Sequence, residues 1–352
     1  MLLFASLLLL AQTPTPAPAA NPENDAYTAA MALKQKERWA EAAAAFEKFI
    51  ATYPASTQAP IARVQAGISW FGLGKSTQAL HRNTPETTSE FDKALAHFEQ
   101  VMKDQPASAA ASRACYMRGS THLFSGDLEA AAADYGAVLD HFKGDPSYIA
   151  KSLERRAFVE RQMLDVKACI ADLQRWIKEN PAPGDALELV KKDLAAAQTL
   201  EKPAPPFVAD VWVNGPAAPL ETLSGEVVAL YFFATWCPHC KEELPFMLDL
   251  TQRFAAQGVR FIGAMDYGHS QTADSVRAYL KAQNLPITTF MDKGATWGAY
   301  NVTSIPQLML IDRDGRLRWH DNPANLSDYT LNKLLQEGLE PKQQTQGKSG
   351  GK

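Results

Sequence analysis

The chain has 352 residues, which is more than one ordinary domain holds and predicts two domains. A hydrophobic content of 46% and a formal net charge of −4 indicate a globular protein without the basic balance that nucleic acids and other polyanions need. Four cysteines in a chain of this length do not form a disulfide-stabilised scaffold.

Residues 1–20 have the features of a secretory signal peptide. Met1 is followed by the apolar run LLFASLLLLA, which has signal-peptide length and is about half as long as a bilayer span requires. Ala17, Ala19 and Ala20 offer small residues for cleavage, and no cysteine follows that could carry a lipid anchor. No Lys or Arg precedes the run, so an uncleaved membrane anchor is the alternative. We therefore expect an exported protein in a periplasmic or other extracytoplasmic, oxidising compartment.

Residues 24–200 are alanine-rich and carry apolar residues at helical spacing. Four segments resemble one another: small residues precede a large apolar residue, and a proline follows the predicted helix. The segments are AAAAFEKFIATYP, ALAHFEQVMKDQP, AAADYGAVLDHFKGDP and ACIADLQRWIKENP, with their large residues at Phe46, Phe98, Tyr135 and Leu173. The partner helices are expected at 27–39, 59–73, 109–124 and 148–164, and a polar insertion at 75–89 lengthens the first interval.

This pattern resembles the tetratricopeptide repeat family, in which small residues let paired helices pack closely. Trp39-Ala40-Glu41-Ala42 and Gly126-Asp127-Leu128-Glu129-Ala130 match the turn and second-helix start of that family. The resemblance implies about four repeats and a surface that binds a protein partner. An irregular helical domain that serves spacing or dimerisation is the alternative. Cys115 and Cys169 fall in these helices and are expected to be buried thiols, with a bond between them left open.

The second half of the chain changes to a mixed helix and strand pattern after a proline-rich linker, 201–206. The second domain is expected to span 207–339, and a disordered tail 340–352. Strands are expected at 208–213, 227–233, 259–265, 287–290, 307–311 and 317–320. Helices are expected at 242–254, 270–282 and 326–339, with a helical turn at 296–300. Pro245 is expected to kink the first of these helices.

The stretch VVALYFFATWCPHCKEELP, 227–245, indicates the chemistry. Its apolar start predicts a strand buried on both faces, which turns into Cys237-Pro238-His239-Cys240 at the start of a helix. At a helix N-terminus, free N–H groups and the helix dipole favour a thiolate on Cys237. This arrangement suits a redox-active Cys237–Cys240 disulfide.

Two other interpretations of the Cys-x-x-Cys motif were weighed. A tetrahedral zinc site needs four ligands, and the sequence has neither a second Cys-x-x-Cys nor a His-x-x-x-His, so no metal is predicted. A structural disulfide between cysteines so close in sequence closes too small a loop to stabilise much. No cofactor is implied, and redox chemistry is favoured.

The order of elements is similar to the thioredoxin fold, and its details resemble the TlpA/ResA branch of extracytoplasmic thiol–disulfide oxidoreductases. The resemblance rests on the segments FATWCPHC from Phe233, ELP from Glu243, and YNV through Ile305-Pro306 to LIDRDG, which ends at Gly315. It implies that Pro306 is cis and lies against the two cysteines, which leaves a neighbouring backbone, such as that of Ile305, to bind the substrate chain. Peroxiredoxins use a similar fold, but the residues before Cys237 do not supply their PxxxTxxC motif.

The expected roles of the motif follow from thiol chemistry. Cys237 attacks as the thiolate and forms a mixed disulfide, and the more buried Cys240 resolves it. Trp236 either presents an apolar surface to partners beside the sulfurs or simply packs. Pro238 begins the helix. A protein thiol or disulfide is the expected substrate, together with a partner protein that supplies or removes electrons.

Several residues depart from the TlpA/ResA pattern or remain open. The His239 dipeptide is that of the periplasmic oxidase DsbA, and an imidazole there stabilises the Cys237 thiolate and favours oxidation of substrates. Tyr231 occupies the position of the buried acid of thioredoxin. Glu243 is a candidate proton acceptor for Cys240, with an ordinary surface carboxylate as the alternative. Asp266 and His269 follow a parallel strand and are either near the site or merely solvated.

The sequence therefore predicts an exported thiol–disulfide oxidoreductase with a helical-repeat domain for partner binding. Reduction of protein disulfides is preferred because the surrounding framework is of the TlpA/ResA kind. Oxidation or isomerisation is the near alternative because of His239. A non-catalytic binding protein whose two cysteines only respond to redox conditions is the contrasting class.

Overall fold

A computed structural model describes residues 21–81, 85–142 and 144–337. The predicted signal peptide at 1–20, the predicted tail at 340–352 and the last residues of the second predicted domain lie outside the described residues. Within the described ranges, no helix combines the length and the apolar character that crossing a bilayer demands. The chain divides into two compact units, Met1–Ala114 and Cys115–Lys352.

The described part of the first two hundred residues is helical, as predicted. The helices are α1 (Pro22–Gln35), α2 (Trp39–Thr52), α3 (Ala59–His81), α4 (Pro85–Asp104), α5 (Ala109–Ser125), α6 (Leu128–His141), α7 (Pro146–Gln162), α8 (Val166–Glu179) and α9 (Asp185–Ala197). Four consecutive pairs, α1–α2 to α7–α8, correspond to the four predicted repeats. The predicted polar insertion appears as longer α3 and α4. The helix α9 follows the last pair and was not expected as a separate element.

Small residues decide how closely these helices approach. A Cβ atom on Gly67 would lie 2.6 Å from the ring of Phe98, and one on Gly72 would lie 2.7 Å from the ring of Trp39. The large residues of the four repeat segments, Phe46, Phe98, Tyr135 and Leu173, are all buried. Trp39 begins α2 and does not end α1, so the predicted first helix was a few residues too long.

The second unit contains a six-stranded sheet in the order β1-β4-β3-β2-β5-β6. Its strands are β1 (Val211–Asn214), β2 (Val227–Phe232), β3 (Val259–Asp266), β4 (Thr288–Asp292), β5 (Gln307–Ile311) and β6 (Leu317–Asp321). The sheet is mixed: β2 pairs parallel with β3 and antiparallel with β5, and β3 pairs parallel with β4. The helices of this part are α10 (Pro238–Glu242), α11 (Leu244–Ala255), α12 (Ala273–Ala282), α13 (Ala295–Ala299) and α14 (Asp328–Gln336).

Every residue of β2 is buried, as the apolar run predicted. Alternate residues of the strand enter opposite faces of the sheet, because side chains alternate along a strand. Tyr231 belongs to the core on the side of α11, α12 and α14, whereas Leu230 belongs to the core on the other side. The two cysteines lie in the first of these cores.

The last helices of the repeat region pack into these same cores. Leu164, between α7 and α8, belongs to the core that holds the cysteines, while Val166 and Leu200 belong to the opposite one. The predicted linker runs beside β6: the Ala204 N–H donates to the Gly315 carbonyl over 2.9 Å. Within the second unit, the sheet therefore shares its two cores with the turn between α7 and α8, with α8 and with the segment after α9.

Candidate active site

The site begins where β2 ends and α10 begins. Cys237 occupies the residue before α10, and the Cys240 N–H donates a hydrogen bond of 3.3 Å to its Sγ atom. Pro238 takes the first helical position, where a missing N–H costs no hydrogen bond. Both residues of the pair are thiols here, and both are buried.

Burial, followed by the neighbouring Cys237, raises the pKa of Cys240 well above its ordinary value. A charge on Glu243 adds to this effect. Cys240 is therefore a thiol that needs a proton acceptor before it can act as a nucleophile. A buried thiol of this kind suits the resolving role that the sequence predicts for Cys240.

The helix that starts at Pro238 ends at Glu242, and α11 starts at Leu244, so the kink predicted near Pro245 is present. Glu243 lies at this break and is partly buried. Its Oε1 atom accepts a hydrogen bond of 2.6 Å from the Asn322 side chain, and its Oε2 atom has no partner among the described residues. Burial raises the pKa of Glu243, although the Asn322 amide opposes this change. Glu243 is thus distinct from an ordinary surface carboxylate.

The peptide bond between Ile305 and Pro306 is cis, as the resemblance implied. The carbonyl oxygen of Ile305 lies 3.9 Å from the Cys237 Sγ atom. The Ile305 N–H donates no hydrogen bond within the described part of the chain. The segment before β5 therefore places a backbone N–H and a backbone carbonyl beside the attacking cysteine.

Trp236 is 38% exposed, and its indole stacks on the His269 ring with centroids 3.9 Å apart. His269 and Ser270 both have positive φ angles, 55° and 59°. Tyr267, in the same loop, is also 38% exposed. His269 is thus exposed, in keeping with a solvated loop, and its ring also contacts Trp236 beside the cysteines. Asp266 instead accepts a hydrogen bond from the Gly268 N–H and shapes the loop.

Gln271 is a site residue that the sequence did not reveal. Its Oε1 atom accepts hydrogen bonds from the Thr235 N–H at 2.9 Å and from the Thr235 hydroxyl at 2.7 Å. Its amide group donates to the Asp266 carbonyl at 3.1 Å. Gln271 therefore ties the turn before Cys237 to the end of β3. No local motif surrounds this residue, so only the fold could show its position.

His239 is largely exposed and is paired with a neighbouring carboxylate. Its side chain is 75% exposed, and its Nδ1 atom lies 3.1 Å from Glu242 Oε2. Tyr231 is buried with its ring stacked on Phe233, and its hydroxyl has no partner among the described residues. Burial and then Cys240 raise the pKa of Tyr231, so this phenol stays protonated. It cannot act as the base that the acid of thioredoxin provides at this position.

No group of residues with the composition of a metal site occurs in the described ranges. Cys115 and Cys169 are separate buried thiols, and burial raises the pKa of each to about 12. Neither is disposed to react.

Comparisons with known proteins agree with this geometry. The AhpC/TSA family model matches residues 200–320, and a tetratricopeptide repeat model matches residues 26–56. The chain is similar to thiol-disulfide oxidoreductase ResA of Bacillus cereus, 35% identical over 117 residues that cover 33% of this chain and 65% of that protein. It is also similar to thioredoxin-like protein YneN of Bacillus subtilis, 29% identical over 104 residues, which are 29% of this chain and 60% of that protein.

The matched segment spans less than two thirds of these relatives. Residues 207–337 have the thioredoxin fold. A solved thiol:disulfide interchange protein from Chlorobium tepidum is 28% identical, with a TM-score of 0.33, over 38% of this chain and 96% of that one. The two family matches place a thioredoxin-like region after tetratricopeptide-like helices, as the sequence predicted.

Proposed function

We propose that this chain is an exported thiol–disulfide oxidoreductase that reduces disulfide bonds in protein substrates. The observation that carries the proposal is the Cys237–Cys240 pair at the start of α10, with the Cys240 N–H directed at the Cys237 sulfur. A hydrogen bond to sulfur favours its ionised form, which is the nucleophile in thiol–disulfide exchange. Similarity to proteins named thiol-disulfide oxidoreductases supports the same chemistry.

The reaction proceeds in two exchanges. The Cys237 thiolate attacks one sulfur of the substrate disulfide, forms a mixed disulfide, and releases the other substrate sulfur as a thiolate that takes up a proton. Cys240 then loses its proton and attacks the Cys237 sulfur, which releases the second substrate thiol. The substrate gains two electrons and two protons, and the enzyme is left with the Cys237–Cys240 disulfide. A dithiol partner protein must reduce that bond before the next cycle.

Glu243 is the proposed acceptor of the Cys240 proton. Its raised pKa brings a carboxylate closer to the range in which it can exchange a proton near neutral pH. The unpartnered Oε2 atom leaves a lone pair free for that proton. Asn322 holds the other oxygen and so orients the group.

The proposed substrate position is the backbone of Ile305. An extended chain beside Cys237 would accept a hydrogen bond from the free Ile305 N–H, as an added strand does at a sheet edge. The exposed rings of Trp236, which precedes Cys237 in the chain, and of Tyr267 provide apolar surface. Both features suit a polypeptide substrate.

Export rests on the apolar run of the first residues, and with it the expected periplasmic or extracytoplasmic location. The tetratricopeptide-like helices are proposed to bind a partner protein, in keeping with the family match at 26–56. Oxidation or isomerisation of substrates is the alternative that the His239 dipeptide suggested from the sequence, and the redox potential of the pair tests it.

The test uses the full chain, with dithiothreitol as the electron source and insulin as the disulfide substrate. Wild type should reduce insulin, and Cys237→Ser should not. Turnover that is equally absent from both proteins would leave a redox-responsive binding protein as the better account. Hydrogen peroxide is tested as a further substrate. Faster turnover of peroxide than of disulfide would indicate a peroxidase instead of a disulfide reductase.

A further inference from the structure

A cleft of about 390 Å³ lies beside the dithiol, and its walls come from two parts of the second unit. One wall is the thioredoxin-like region, with Ile305, Pro306 and Glu243 among its residues. The other wall is helical and includes Leu189 and Lys192 of α9. The cleft thus begins at the backbone proposed to hold the substrate and ends on the last helix before the sheet.

The helical wall is fixed in place by buried polar contacts. Gln162, at the end of α7, is 1% exposed, and its side chain donates to the Asn325 carbonyl at 2.9 Å. Its Oε1 atom accepts from the Thr330 hydroxyl at 3.0 Å, and that hydroxyl also lies 2.7 Å from the Gln162 carbonyl. Arg161 forms an ion pair with Asp321 at the base of the cleft. These contacts preorganise the cleft before any substrate arrives.

The helix α9 is joined directly to the sheet. The His320 ring nitrogen Nε2 lies within 3.2 Å of the Ala196 carbonyl. Burial lowers the pKa of His320, so its ring is neutral and acts as a simple donor to this carbonyl. The position of Leu189 and Lys192 relative to Ile305 is therefore set by the fold.

The side chain of Leu189 does not contribute to the helical core. It is 63% exposed, whereas its helix neighbours Leu187 and Val190 are buried in the helical core. Lys192, one turn further along, makes no ion pair within the described ranges. Because Leu189 and Ile305 line the same cleft, the exposed leucine lies beside the proposed substrate position.

The size of the cleft limits its occupant. A volume of about 390 Å³ is near the lower end of the range for ligand sites, about 300–1,000 Å³, and accommodates a few residues of extended chain rather than a folded domain. Most residues that line the cleft are polar or charged, and Leu189 and Ile305 belong to its smaller apolar part. That part fits one apolar side chain, and the Ile305 N–H fits a backbone carbonyl.

We propose that α9 is a specificity element of the dithiol site, which selects substrates that carry an apolar residue beside the reacting cysteine. The occupant is an extended segment of the substrate, with its backbone on Ile305 and an apolar side chain against Leu189. This proposal rests on the proposed oxidoreductase function. It adds that the helical region takes part in choosing the substrate at the site of reaction.

The experiment uses two short peptides that each carry one cysteine blocked as a disulfide with mercaptoethanol. Leucine flanks the cysteine in one peptide and aspartate in the other, and bis(hydroxyethyl) disulfide serves as a substrate without side chains. For the full wild-type chain, kcat/KM should favour the leucine peptide by about ten-fold. Leu189→Asp should remove this preference and leave turnover of bis(hydroxyethyl) disulfide unchanged. Val208→Asp is the matched control, since Val208 is 47% exposed and lies outside the cleft.

A second pair of variants tests the charge on the same wall. Lys192→Glu should lower kcat/KM for the aspartate peptide below the wild-type value, because the new carboxylate repels the aspartate. Lys191→Glu changes the adjacent residue, which lies outside the cleft, and should not have this effect. Equal turnover of both peptides by wild type, or loss of all three substrates in Leu189→Asp, would overturn the proposal for α9. Absence of turnover for all three substrates in wild type would refute the oxidoreductase function itself, and the specificity proposal with it.

Discussion

The helical region and the dithiol region each hold a carboxylate that is at least partly buried, and the pKa values of the two are shifted in opposite directions. Asp134, on α6, is buried, and burial alone would raise its pKa, but hydrogen bonds from His122 and Arg118 hold the pKa below its ordinary value. Glu243 accepts a hydrogen bond from the Asn322 amide, and burial raises its pKa although Asn322, His239 and the Ala324 backbone oppose this change. Hydrogen bonds from Arg118 and His122 favour the charged form of Asp134 and give it a structural role. Burial outweighs the partners of Glu243, which leaves this carboxylate able to gain and lose a proton.

The cysteines differ in a parallel way. Cys115 and Cys169 are surrounded by helices, and burial raises the pKa of each to about 12. Cys237 is equally buried by residue exposure, but it lies before a helix N-terminus and receives an N–H hydrogen bond on its sulfur. Reactivity therefore follows the groups that face a side chain more closely than its exposure.

The largest expected effect comes from replacing the reactive cysteine by serine, compared with the same replacement at each buried helical cysteine. Cys237→Ser should lower disulfide reduction by about three orders of magnitude or more, because the attacking sulfur is lost. Cys115→Ser and Cys169→Ser should leave turnover within about two-fold, since neither thiol takes part. Steady-state assays with insulin measure all three. A large loss in Cys115→Ser or Cys169→Ser without a change in thermal stability would contradict the distinction.

The next largest effect is expected from replacing the carboxylate of Glu243. Glu243→Gln should lower the rate of the resolving step by about ten- to a hundred-fold, because Cys240 loses its proton acceptor. The raised pKa of Glu243 means that wild-type activity falls as pH decreases through that pKa, and the variant should lose this dependence. Rates of mixed-disulfide resolution across pH measure it.

Asp134→Asn is the matched change in the helical region. It should lower the free energy of unfolding by about 2–4 kcal/mol, because the substitution removes the buried carboxylate that pairs with the Arg118 guanidinium. Turnover by the folded protein should not change. Denaturant unfolding and the insulin assay separate the two results, and a loss of activity in the folded variant would show that Asp134 is more than structural.

A third carboxylate, Glu160 on α7, tests the effect of burial on stability. Burial, with Asp172 nearby, raises the pKa of Glu160 to about 8, and Arg156 opposes this at 3.4 Å. The folded state therefore holds a proton that the unfolded state releases above its own pKa near 4.5, so stability decreases as pH rises from that value toward about 8. Glu160→Gln should raise the free energy of unfolding by about 1–2 kcal/mol at pH 8 and by nothing near pH 4.

His239 should have the smallest effect. The imidazole is exposed and faces Glu242, so His239→Ala should shift the Cys237–Cys240 potential by less than about 30 mV, which is about 1.4 kcal/mol. Equilibration of the full chain in dithiothreitol or glutathione buffers gives this potential. A larger shift would mean that His239 does stabilise the thiolate and would favour the oxidase alternative. A potential near −270 mV would favour a reductant, and one near about −120 mV an oxidant.

The sequence predicted the elements whose patterns are local. The apolar run before Cys237 predicted β2, small residues before Phe46 and Phe98 predicted the paired helices, and Pro245 predicted the kink. Strand ends were off by a few residues where the pattern was weak, as in β1, which starts at Val211 rather than 208.

Contacts between distant segments could not be predicted in this way. Gln271 reaches Thr235 across 36 residues, and Asn322 reaches Glu243 across 79. Neither lies in a motif, and both are ordinary polar residues in a sequence. The sequence also placed a linker at 201–206 and did not distinguish α9, because neither composition nor spacing indicates that α9 would contribute to a cleft beside the dithiol.

The insertion of Leu164 into the core beneath the cysteines has an evolutionary consequence. A recombination event that separated the gene near the codon for residue 206 would remove Leu164 from the core of the thioredoxin-like region. It would also remove the Gln162 carbonyl that accepts a hydrogen bond from Thr330. The last helix pair and α9 must therefore be inherited together with the redox centre.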